Sequence, residues 1–159
     1  MTGAPDRTPT LERVIRREDL RRAVEGFLKL GLETIGLFDT RGERYEVVAT
    51  PDAPTSTWEQ LPAEVLAAFR DGERMAAVGD RRYSMRPAFA GADRVGVFVF
   101  GRPAAQWSED GSDPTVEAVC GALATVLQAG FATWVTSELH LATSESAHQA
   151  LEQQNEELQ

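Results

Sequence analysis

Few side chains in this sequence have the chemistry and the spacing to make a site. There is one cysteine, Cys120, and there are two histidines, His140 and His148. One thiol forms neither an internal disulfide nor, by itself, a structural zinc site. At their spacing the histidines stand about 80° apart around a helix, so they do not make the one-face pair that binds a metal. No Ser/His/Asp order, metal-ligand spacing or Gly-rich phosphate loop is present, and the chain is read as a non-enzyme without a cofactor. The strand RRYSMRPAF carries the strongest binding chemistry. Alternation puts Tyr83, Met85, Pro87 and Phe89 on one face and Arg82, Ser84, Arg86 and Ala88 on the other. Arg86, with Phe38, Trp58 and Phe69, is a candidate lining for a small cleft suited to an anionic ligand. The plainer alternative pairs Arg86 with Glu46 or sends it to solvent past a short helix.

Charge narrows the partners. A formal net charge of −9 and a pI near 4.7 argue against a nucleic-acid backbone or an anionic membrane, since either needs a concentrated basic face. The Arg-rich run ERVIRREDLRRAVEG is interleaved with Glu12, Glu18, Asp19 and Glu25 at helical spacings, so intrahelical pairs account for it. MTGAPDRTPT lacks the apolar core of a signal peptide, and no run approaches the ~18 apolar residues of a membrane span. A cytoplasmic chain is expected.

Behind these residues stands a sequence of elements. Residues 1–10 read as a disordered leader. Leu11, Val14, Ile15, Leu20, Val24, Phe27 and Leu28 recur at helical spacing, and Gly31 stops the helix. TIGLFDTRGERYEVVAT holds two β-rich runs around the turn cluster Asp39, Thr40, Arg41 and Gly42. PDAPTSTWEQLP is a crossing loop, and PAEVLAAFRDG a short helix with Pro62 in its first turn. Three strands follow, split at Gly79/Asp80 and Gly91/Ala92. The last, RVGVFVF, is apolar on both faces and belongs inside a sheet covered on both sides. GRPAAQWSEDGSD reads as a long polar connection.

Asp113 and Pro114 then open a helix by a capping residue and a first-turn proline. Nothing breaks it before Gln159, and a rod of ~45 residues spans roughly 65–70 Å, so its far end must project. There a heptad sets Leu151 and Leu158 at one core position and Trp134, Leu141, His148 and Asn155 at the other. A buried Asn in such a seam specifies a parallel two-stranded homodimer.

The residues also carry a family resemblance. MRPAFAGADRVGVFVFGRPAAQWSEDG resembles the closing part of a GAF domain, DPTVEAVCGALATVLQAGFA is similar to that family's last helix, and LGLETIGLFDTRGERYEVVAT to its first hairpin. The likeness covers roughly residues 18–134, with the PAS fold as the structural rival. It implies an α+β fold: an antiparallel five-stranded sheet with the first and last helices on one face and a ligand pocket on the other. It also implies a sensory domain over 11–134 and a coiled-coil signalling helix over 135–159, leading to an output domain beyond Gln159. Such domains are input modules of bacterial histidine kinases, cyclic-dinucleotide enzymes and transcription activators.

The family's specialised chemistries lack their residues here. Lys29, the only lysine, has no cyclic-nucleotide signature around it. Cys120 sits in an apolar stripe rather than at a bilin attachment site, and one thiol cannot complete a methionine-sulfoxide-reducing cycle. Two functions are therefore expected as alternatives: a sensory input domain with a small-molecule ligand, or a scaffold of the same fold that only dimerises or docks a protein.

Overall fold

The computed structural model describes residues 8–108 and 113–158. Its elements are α1 (Leu11–Val14), α2 (Arg17–Glu25), β1 (Thr34–Asp39), β2 (Arg44–Ala49), α3 (Ala63–Arg70), β3 (Met75–Val78), β4 (Arg81–Ala90), β5 (Asp93–Pro103) and α4 (Pro114–Leu158). The five strands form one antiparallel sheet in the order β2-β1-β5-β4-β3. The fold is therefore α+β, as expected, and the two-sided apolar strand is the central one.

The alternation of β5 distributes its side chains between two layers. Phe98 and Phe100 join Leu20, Val24, Val116, Val119, Leu123 and Leu127 under α1, α2 and α4. Val97 and Val99 join Phe38, Val47, Val65, Tyr83 and Met85 under α3. Each such side chain taken wholly out of water contributes about 1.5–3 kcal/mol before the entropy of ordering it is subtracted. Register slips between Ala88 and Phe89, and Val95 thereby joins the α4 layer.

Local chemistry sets the turns. Asp39 Oδ1 accepts hydrogen bonds from the Arg41 and Glu43 amides at 2.8 and 2.9 Å, and Gly42 takes the positive φ (83°) that closes the β1–β2 hairpin. Between β4 and β5 the turn Gly91–Ala92 has Gly91 at φ 63°. Gln128 of α4 reaches this turn, accepting from the Gly91 amide at 3.2 Å and donating to the Phe89 carbonyl at 3.4 Å.

The expected first helix is two helices. Ile15 is extended (φ −150°, ψ 136°), and its carbonyl, released from helical bonding, accepts the buried Tyr45 hydroxyl. The interleaved charges also pair less within the helix than expected. Arg21 does bridge Glu25 at 3.7 Å, but it reaches Glu46 at 3.5 Å as well, and Arg17 donates to the Tyr45 carbonyl and lies over its ring. Pro62 precedes α3 instead of opening it. Of the expected leader, residues 1–7 lie outside the described residues; Pro9 is buried. α4 is one unbroken helix of 45 residues.

Candidate functional site

The four expected cleft residues do not share a cleft. Phe38 is buried and Trp58 and Phe69 are half-buried in the layer under α3, where Trp58 packs on Tyr83 with ring centroids 5.0 Å apart. Arg94 covers Phe69, its guanidinium 5.1 Å from the ring centroid. Arg86 lies on the opposite side of the sheet, where it forms an ion pair with Glu117 of α4 and contacts the buried Ser84 hydroxyl at 3.4 Å. The partner is thus neither Glu46 nor an anionic ligand in common with Phe38. Glu46 is taken by Arg21 and Arg44. Alternation along β4 already set Arg86 opposite Tyr83, and a sheet stands between the two groups.

Two clefts of about 430 and 440 Å³ lie elsewhere. The first, beside the β1–β2 turn, is lined by Arg17, Arg41, Arg44 and Arg94 together with Glu12, Asp39 and Glu43. Opposite charges there largely neutralise one another. The second runs between the α1–α2 segment and α4, along Arg13, Asp19, Gly130 and Trp134. Among the described residues, no three of His, Cys, Asp and Glu are grouped to hold a metal ion.

What the fold does build with buried polar groups is a clamp at the base of α4. Asp113 is 7% exposed. Its Oδ1 accepts from the Thr115 and Val116 amides at 2.8 and 3.3 Å, which satisfies the first donors of the helix. Its Oδ2 pairs with Arg102 at the end of β5, and that guanidinium lies 4.4 Å from the centroid of Trp107. Trp107 Nε1 donates to the Arg82 and Arg102 carbonyls at 3.0 and 3.3 Å. Burial pushes the Arg102 pKa down, and its Nε has no hydrogen-bond partner among the described residues. The sequence named Asp113 as a cap but read Trp107 as part of a polar connection; it is 7% exposed. The signal that could have found the clamp is a lone aromatic residue inside a connection otherwise made of small and polar residues. Residues 109–112 of that connection lie outside the described residues.

Cys120 is half-buried against the core, and burial pushes its thiol pKa up, partly opposed by Arg86 and reinforced by Glu117. A thiol held protonated is a poor nucleophile. Labelling by a water-soluble thiol reagent at neutral pH is therefore expected to be slow in the native protein and prompt in denaturant; equal rates would contradict this placement.

The expected seam residues divide. Trp134 is half-buried against the domain, its ring 6.1 Å from that of Phe131 and under the Arg13 guanidinium at 5.8 Å. Leu141, Leu151 and Leu158 are 56%, 59% and 79% exposed, and Asn155 is exposed. His148 is exposed and bridges Glu152 of its own helix at 3.0 Å. On a straight helix Leu158 is rotated from Trp134 by about 120°, so Trp134 and the terminal leucines do not lie on one line. No protein-family model and no curated protein sequence matches the chain.

Proposed function

We propose that the chain is a GAF-like regulatory input module of a cytoplasmic signalling protein, dimeric through α4 and passing changes of state along α4 to an output domain. The observation that carries this reading is the clamp. A helix that begins in a buried ion pair on the central strand and continues unbroken for 45 residues moves with the sheet. About 67 Å separates its ends, far more than this small domain covers. A shift of β5 or of the turn held by Gln128 thus reaches the exposed end as rotation or translation of a rod.

The packed layer under α3 favours a second reading, a scaffold of the same fold with no small-molecule ligand. Trp58 on Tyr83 and the buried Phe38 occupy the space where a pocket would open. Melting the protein across a metabolite panel separates the two. A ligand at 100 times its Kd adds about 2.7 kcal/mol, which raises the Tm of a chain of this size by about 5–10 °C. The sensor reading predicts one such hit from a single chemical class. A flat response across the panel assigns the scaffold.

A further inference from the structure

α4 has a surface that the domain does not cover and that has little to offer water. From Ala118 to Ser137 it contains no charged residue, in a chain with 26% charged residues. Against the expectation that no run approaches a membrane span, α4 is long and apolar enough for one by length and composition, with a mean hydropathy of 1.5 over an 18-residue window of which only 17% is buried.

The helix is divided lengthwise into three arcs. At about 100° per residue from Leu127, the buried Val116, Val119 and Leu123 fall between roughly 280° and 360°. The glutamates, from Glu117 to Glu157, fall between about 340° and 120°. The remaining arc, about 160–280°, holds the exposed Ala118, Thr125, Ala129, Thr133 and Thr136, together with Ala122 and Val126, which are half-buried. Further along, the same arc holds Leu151, Asn155 and Leu158, also exposed.

The arc repeats with a period of eleven residues. One row is Ala118, Ala129, His140 and Leu151; a second is Thr125, Thr136, Ala147 and Leu158. Asn155 continues a third row that begins at Ala122. An eleven-residue period runs almost straight along a helix, with a slight right-handed supercoil, whereas the heptad through Trp134 and Leu141 coils the other way.

We infer that this arc is where a second copy of the chain docks, α4 against α4 and parallel, from Ala118 on the domain to Leu158 at the tip. The inference rests on the reading of α4 as the dimerising element and moves its contact surface. Alanines and threonines at the domain end let two helix backbones approach closely, as small residues do at helix–helix contacts. Lipid does not fit: a lipid-facing arc would carry Leu and Phe rather than Ala and Thr, and another side of the same stretch is packed on the domain through Val119, Leu123 and Leu127. The leucines at the tip extend the contact, and a parallel two-fold pairing sets Asn155 beside its own copy, where the two amides hydrogen-bond. No glutamate lies in the contact.

Sedimentation equilibrium tests it on three forms of the full chain: wild type, Ala129→Glu with Thr136→Glu, and Leu141→Glu. All three sites are exposed, and circular dichroism checks that each form folds. The wild type and Leu141→Glu are expected to be dimers. The double variant, which sets like charges against each other across the contact, is expected to raise the dimer Kd by about a hundredfold or more. A dimeric double variant overturns the arc while leaving dimerisation intact, and a monomeric Leu141→Glu returns the contact to the heptad seam. A wild type that is monomeric at tens of micromolar removes the dimeric reading itself. Wild type that co-sediments with mixed neutral and anionic phospholipid vesicles, when the double variant does not, replaces the second copy by lipid.

Discussion

Replacing Arg102 by alanine is expected to cost about 3–5 kcal/mol of folding stability, because it strands the Asp113 carboxylate in a largely buried site. The two side chains are 12% and 8% exposed, so water can take the place of the guanidinium only by opening the start of α4. The same substitution removes the cation from the face of Trp107. In a chain of this length the loss corresponds to a fall in Tm of about 10–15 °C. The double variant Arg102→Met with Asp113→Asn is expected to recover most of it: no charge remains buried, methionine fills the aliphatic path of the arginine, and Asn still caps the helix. Thermal and urea melts of the two variants decide the matter. A double variant no more stable than Arg102→Ala would show that the unpaired charge is not the cause.

Gly130→Ala is expected to destabilise the protein by about 1–3 kcal/mol, although helix propensity alone favours alanine by about 1 kcal/mol. A Cβ at Gly130 would stand 1.8 Å from the Val14 carbonyl oxygen and 3.0 Å from its carbon, so the backbone of α1 must move. α1 crosses α4 at Gly130, where no side chain stands between the two backbones. Gly121, with nothing within 4 Å of an added Cβ, is the control, and Gly121→Ala is expected to stabilise by about 0.5–1 kcal/mol. Opposite signs for two identical substitutions in one helix are read directly from the shift of the urea midpoint. A stabilising Gly130→Ala would mean that α1 does not rest on α4 there.

Much of the fold was legible because its signals are local. The apolarity of RVGVFVF on both faces put it in mid-sheet, and it is the third of five strands. Asp113 and Pro114 announced a helix start, and Asp39 with Gly42 a hairpin. What was not legible depends on which element covers which face. Period-two alternation separates Arg86 from Tyr83 but does not say that α4 and Glu117 lie over one and α3 with Trp58 over the other. For the same reason the clamp was half seen: Arg102 and Asp113 meet across a connection whose length carries no signal. The break at Ile15 is tertiary as well, since nothing in LERVIRRED opposes a helix until Tyr45 claims the carbonyl. Trp134 is half-buried against the domain, which a count of sevens along the helix does not reveal.

The central claim, that two copies hold α4 side by side and parallel, is most directly tested by distances between identical spin labels. In a Cys120→Ala background, labels placed singly at Thr136→Cys and at Leu151→Cys report the separation of each site from its own copy. Parallel pairing predicts distances below about 20 Å at both sites, since two packed helices lie 8–10 Å apart. The sites are about 22 Å apart along the helix, so an antiparallel pairing cannot bring both close to their copies. A short distance at one site with a long one at the other, or no dipolar coupling at either, would contradict the account.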